Sequence, residues 1–226
     1  MKNIWKILFG VVCVLHLAAL LMHVPTLVFA TKPLLMPFLA AWLASEVSNS
    51  RFLSKAWLSG LVFSTLGDIL LLFAREEHGE IFFVLGLAMF LLAHLFYIGG
   101  LWFVLKGKKG FLREQPLWTL LPVAYLAGIM WYLWPGIPES LHFPVGAYAI
   151  VITTMASSVL NLRTHVNPSV FRLLMLGALL FVMSDSLLAL DKFGNIPAVP
   201  LSIMSTYIIG QAFMAKGIMR FLNEKH

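Results

Sequence analysis

The chain of 226 residues is 60% hydrophobic and only 12% charged, with a mean hydropathy of +0.90. No water-soluble domain of this length hides so much apolar surface, so lipid is its solvent. Lys and Arg outnumber Asp and Glu 16 to 10, yet the basic residues form short clusters between apolar runs. That pattern marks membrane topology and argues against a nucleic-acid partner.

A helical span needs about 20 mostly apolar residues. In chain order such runs lie near 4–22, 33–48, 55–74, 81–105, 117–134, 143–162, 169–190 and 199–222. They predict an all-α fold, an integral membrane bundle of eight transmembrane helices forming one multi-pass domain over residues 1–226. Lys2 and Lys6 before the first run, and Val28-Phe29-Ala30 after it, have the look of a cleaved leader. Ile7 to Met22 is longer than a usual leader core and a further span follows at once, so the run is read as the first span. Lys32-Pro33 predicts the start of the second helix, because proline suits a first turn. Pro25, Ser48-Asn49-Ser50, Lys106-Gly107-Lys108-Lys109-Gly110, Pro135-Gly136-Ile137-Pro138, Asn167-Pro168 and Gly194-Asn195-Ile196-Pro197 punctuate the breaks. Trp5, Trp57, Trp102, Trp118 and Trp134 fall near span ends and read as interfacial anchors. The lone Cys13 reads as packing.

With the N-terminus inside, Lys2, Lys6, Arg51, Lys55, Lys106, Lys108, Lys109, Arg113, Arg163, Arg172, Lys216, Arg220 and Lys225 fall toward the inner face. Only Lys32, Arg75 and Lys192 fall outward, with Glu76, Glu77, Glu80, Glu139 and Asp191. Basic residues collect on the cytoplasmic side, so both termini are read as inside, in a bacterial cytoplasmic (inner) membrane.

Two aspartates interrupt apolar runs within the same frame: Gly60-LVFSTLG-Asp68-ILLLF and Gly177-ALLFVMS-Asp185-SLLAL. A carboxylate in hydrocarbon costs several kcal/mol unless it is protonated, paired or facing a wet cavity. The shared frame, four spans apart, suggests a parallel repeat of two four-helix halves, with Phe83-Val-Leu-Gly86-Leu-Ala88 beside Tyr207-Ile-Ile-Gly210-Gln-Ala212 in weaker support. At about 1.5 Å per residue, both aspartates lie about 8–9 Å below the outer boundary. The carboxyls are expected to meet in one pocket and share a proton there. His16, Tyr148 and Tyr207 come to a similar depth, and Lys32 marks the outer mouth. His94 and Tyr97 lie about 20 Å down the fourth span by the same ruler, and Gln211 is midway.

Three readings of the aspartates stay open: catalysis, proton relay in a transporter of a small amphiphile, and interhelical hydrogen bonding in a lipid-binding protein without catalysis. A metal reading would draw on Asp68, Asp185, His16 and His94, but no HxxxH, HExxH or CxxC spacing exists and His94 is mismatched in depth. No metal and no cofactor is expected. Gly67-Asp68 matches only the GD of intramembrane aspartyl proteases, whose fuller GxGD, YD and PAL patterns are unmatched.

Several strings occur together in order: Thr31-Lys32-Pro33-Leu34, Gly67-Asp68, Ala93-His94-Leu-Phe-Tyr97, Tyr148 with Met155, Gly177 through Ser184-Asp185 to Asp191-Lys192-Phe193, and Ser205-Thr206-Tyr207 to Gln211. With them the chain resembles the YhhN-like family, which includes the mammalian transmembrane lysoplasmalogenases. The resemblance implies an eight-span hydrolase that cleaves the vinyl ether bond of lysoplasmalogens to a fatty aldehyde and a glycerophospho-headgroup. It implies Asp68 and Asp185 as catalytic residues and a lysophospholipid substrate drawn from the bilayer. Lys32 would meet the phosphate, while Tyr148, Tyr207, His94, Tyr97 and Gln211 would line the cavity. Such chemistry needs a carboxylic acid to protonate the vinyl β-carbon and a carboxylate to stabilise the cation and direct water, much as paired carboxylates act at glycosidic bonds. Protein partners are not legible.

Overall fold

The computed structural model describes residues 2–47, 52–74 and 79–224. Arg51, Arg75, Glu76, Glu77, Lys225 and the Ser48-Asn49-Ser50 break lie outside the described residues. Nine α-helices are described: α1 (Lys2–Leu21), α2 (Pro25–Glu46), α3 (Phe52–Phe73), α4 (Gly79–Leu105), a short α5 (Phe111–Glu114), α6 (Leu120–Leu133), α7 (Glu139–Asn161), α8 (Pro168–Phe193) and α9 (Pro200–Asn223). Single 3₁₀ turns at Pro116–Thr119 and Trp134–Gly136 flank α6. The fold is all-helical, with no strand among the described residues.

Seven segments are long and apolar enough to cross a membrane: Asn3–Leu21, Pro25–Glu46, Phe52–Phe73, Gly79–Leu105, Pro116–Gly136, Glu139–Asn161 and Pro168–Phe193. The chain is an integral membrane protein. The eighth expected run is present as α9, but Gln211, Lys216 and Arg220 make it less apolar than the seven. It is buried along much of its length, from Met204 to Leu222, and packs on α8 while also touching α1 and α2. Gln211 is tolerated there because it faces protein rather than lipid, whereas Lys216 and Arg220, nearer the C-terminal end of the helix, are exposed.

Proline sets several helix starts. Pro25, Pro168 and Pro200 each occupy the first turn of a helix, where the missing N–H is no loss. The Asn167 side chain caps α8 by accepting from Ser169 N at 3.0 Å. Pro33 does not begin the second helix as expected. Pro25 takes that place, and Pro33 and Pro37 both lie inside α2, where each withholds one i→i−4 hydrogen bond.

α3 packs chiefly on α4, and α8 on α9. The two frame glycines explain the closeness. A Cβ at Gly177 would sit 2.7 Å from the Gly210 carbonyl oxygen, and one at Gly60 would enter the ring of Tyr97. That ring stacks on Trp57 with centroids 4.5 Å apart, and Trp57 is fully buried. Trp57 is therefore part of the core and not the interfacial anchor its position suggested: it lies a turn from Gly60, on the face of α3 that admits α4. Trp5, Trp102, Trp118 and Trp134 are exposed. Cys13 is partly buried against the core.

α6 stands at the periphery, leaning on α7 and touching α8, with Trp131 82% exposed. In water this would be an aggregating surface; in a bilayer it is the ordinary lipid face of a spanning helix.

Candidate functional site

One cavity of about 770 Å³ opens among the helices. Its wall takes residues from the ends of α1, α3 and α8 and from the beginnings of α2, α4, α7 and α9, so it occupies the end of the bundle that the basic residues had marked as outer. Both aspartates line it, and so do His16, Lys32, Tyr148, Ser184 and Tyr207 among largely apolar neighbours.

The two carboxyls have different company. Asp68 is only 2% exposed; Tyr207 Oη donates to its Oδ2 at 2.8 Å, and Lys32 Nζ lies 3.7 Å from its Oδ1. At an effective dielectric of 20, a pair at that range gains roughly 4 kcal/mol, about what desolvating a buried ion costs. Asp185 is half-buried and accepts from Tyr148 Oη through its Oδ2. Each carboxyl thus takes its own phenol, and the open volume lies in the wall they share.

The tyrosines are held by packed rings. Tyr207 meets Phe181 and Phe90 edge to face at 5.4 and 5.9 Å. His94 packs edge-on against Tyr148 at 5.6 Å and Phe181 at 4.7 Å. His94, Tyr97 and Gln211, expected to touch substrate, are not in the cavity wall. They form a buried layer below it: Tyr97 Oη donates to Gln211 Oε1 at 3.2 Å, Gln211 Nε2 donates to Ser64 Oγ at 3.2 Å, and His94 Nδ1 bonds Phe90 O at 2.6 Å. Ser64 was missed from sequence, although it stands four residues before Asp68 and so on the same face of α3. Among the described residues no three His, Cys, Asp or Glu side chains converge, so Asp68, Asp185, His16 and His94 make no common cluster.

The rim is shaped by two connections. His23 takes a left-handed φ of 54° between α1 and α2, as does Asn195 between α8 and α9, and the Asp191 side chain accepts from Ala198 N at 3.1 Å to close the second. Lys192 stands 4.3 Å from the centre of the Phe83 ring and lines the same mouth.

Residues 27–218 match the YhhN family model. The chain belongs to the YhhN family. Its curated relatives include lysoplasmalogenase TMEM86A of Bos taurus, 32% identical over 162 residues that cover 69% of this chain and 62% of the relative. A lysoplasmalogenase of Mycobacterium tuberculosis (strain CDC 1551 / Oshkosh) is 28% identical over 178 residues, 77% of this chain and 64% of the relative. Lysoplasmalogenase TMEM86B of Mus musculus is 29% identical over 192 residues, 84% and 73% of the two chains. The chain thus spans less than two thirds of the length of the first two. No solved structure matches it. Both aspartates and their phenol partners fall inside the family-matched residues, whereas α1 with His16 precedes them.

Proposed function

We propose that this YhhN-family chain is a membrane hydrolase that cleaves the vinyl ether bond of lysoplasmalogen-type lysophospholipids. The observation that carries the reading is that carboxyls from two different helices, each oriented by a phenol, line one largely apolar cavity. The relatives' names supply the substrate class.

The unequal surroundings divide the work. Asp68, beside the Lys32 ammonium, serves as the anion; Asp185, with a phenol as its bonded partner, serves as the acid. The pair then holds one proton, carried by Asp185, while each carboxyl is also bonded to its own tyrosine. Asp185 transfers its proton to the vinyl β-carbon, and the electron pair of the C=C bond forms the new C–H bond, leaving an oxocarbenium ion. Asp68 stabilises that cation and directs a water molecule onto its carbon; the water's proton returns to a carboxylate. The hemiacetal then breaks its C–O bond to the glycerol, giving aldehyde and glycerophospho-headgroup, with one water consumed. Positioned general acid catalysis contributes about 10²–10⁴-fold, and the fixed charges around the cavity lower the barrier further. Lys32 also stands where it can attract the phosphate, while His94, Tyr97 and Gln211 hold the tyrosine layer from beneath.

The same reading takes the chain as one domain of eight spans with both termini inside, in a bacterial inner membrane. A parallel repeat of four helices is supported by a correspondence in spacing. Lys32 stands 36 residues before Asp68 and Tyr148 stands 37 before Asp185, so each acid is met from the preceding long helix.

Purified protein incubated with lysoplasmenylethanolamine is expected to release fatty aldehyde. Intact lipid across a panel of vinyl ether lysophospholipids would overturn the hydrolase and leave the transporter, in which the same carboxyls relay protons, and the lipid-binding protein, in which they join helices.

A further inference from the structure

His16 stands on α1, outside the family-matched residues, and its ring lies fully buried in the cavity wall. Its two nitrogens are in different situations. Nδ1 is 2.8 Å from Thr31 Oγ1. The Thr31 hydroxyl directs its own proton to Leu27 O at 2.6 Å, so at the other contact the hydroxyl accepts and the ring N–H donates. In the neutral ring this leaves a lone pair on Nε2, and Nε2 is buried with no hydrogen-bond partner. Buried polar atoms nearly always have one. An acceptor oriented by a bond at the far side of its own ring, and unpaired on a residue of the cavity wall, suits a donor that arrives with the ligand.

We propose that His16 Nε2 accepts a hydrogen bond from the free sn-2 hydroxyl of the lysophospholipid, and that this contact selects lyso lipids over their two-chain counterparts. The inference rests on the lysophospholipid reading above. Thr31 precedes Lys32 on α2, so the histidine's anchor adjoins the lysine that faces Asp68. A lipid with its vinyl ether between the carboxyls and its phosphate toward the mouth carries C2 of the glycerol between those two points. In a two-chain lipid an ester oxygen replaces the hydroxyl. It brings no proton, sets an acceptor against an acceptor, and adds an acyl chain to the cavity. Nε2 has no protein bond to give up, so only the hydroxyl's own bond to water is exchanged.

The test uses full-length protein in nanodiscs and two saturated-ether lipids that cannot be hydrolysed: 1-O-hexadecyl-glycerophosphoethanolamine with its free 2-hydroxyl, and the 2-deoxy counterpart. Wild type is expected to bind the hydroxyl lipid about 10- to 100-fold more tightly, the range for filling a buried unpaired acceptor. His16→Phe should bring that ratio to about one. His16→Gln, which restores an acceptor, should keep part of it, and Thr31→Val, which frees the ring, should reduce it. Equal or absent binding of the two lipids by wild type, or an unchanged ratio in His16→Phe, overturns the proposal. Binding is read without turnover, so the two readings fail separately. Discrimination without aldehyde release from a vinyl ether substrate retires the hydrolase alone; aldehyde release without discrimination retires the role of His16 alone.

Discussion

The neighbourhoods of Asp68 and Asp185 occupy matching places in the chain but differ in chemistry. A side chain from the preceding long helix reaches each acid, and on one side it is a lysine, on the other a tyrosine. Asp68 is sealed between a cation and a phenol; Asp185 is half-buried against a phenol. Two carboxyls in hydrocarbon with the same surroundings would hold their protons equally well. An ammonium beside one of them breaks the tie, and on the proposed reading a pair of similar helical frames then provides an anion and an acid.

The largest expected effect follows from that division. Asp185→Asn removes the proposed proton donor and should lower the rate of aldehyde release by about 10²–10⁴-fold with little change in lipid binding. A variant that keeps wild-type turnover would remove Asp185 from the mechanism. Next comes the ion pair. Lys32→Met leaves Asp68 buried without its cation and should destabilise the protein by about 3–5 kcal/mol, measured by unfolding in detergent. Adding Asp68→Asn should recover much of that loss, and strictly additive losses would contradict the pairing.

The packing of the α3–α4 and α8–α9 pairs differs as well. Gly177→Ala drives a methyl group into α9 backbone and is expected to cost about 1–3 kcal/mol, the usual range for overpacking. Gly67→Ala meets first the buried Phe90 ring, a side chain rather than backbone, and should cost less; equal melting temperatures for the two variants would count against this account of the α8–α9 contact. Among the phenols, Tyr148→Phe should slow turnover about tenfold, the worth of one hydrogen bond to the carboxylate that develops as Asp185 gives up its proton. Tyr207→Phe should slow it less, because Lys32 still faces Asp68, and the reverse order of rates would exchange the roles of the two acids. The smallest change is expected from Gln211→Leu, which lies below the cavity: about 1 kcal/mol of stability and an unaltered KM. A raised KM would return Gln211 to the substrate site.

Much of the bundle was legible along the chain. Apolar runs located every long helix to within a few residues, except for the start of α2. There Pro33 has the right chemistry for a first turn and Pro25 has the position; which proline begins the helix depends on where the preceding turn closes, not on the dipeptide. Trp57 was misjudged for a related reason. Closeness to a span end says nothing of which face a residue occupies, and the glycine frame that brings α4 against α3 buried it.

Composition and spacing by themselves determined that lipid is the solvent, that the fold is helical, and that Asp68 and Asp185 are the residues to explain, because desolvated charge is costly wherever its helix packs. Only the tertiary structure decided their partners. Hydrogen bonds and ion pairs act over about 3–4 Å, far finer than the few ångströms of error in a depth counted along separate helices. Rotation and approach of those helices therefore placed Lys32 on one acid and Tyr148 on the other, moved His94, Tyr97 and Gln211 out of the cavity wall, and left the buried Nε2 of His16 without a hydrogen-bond partner.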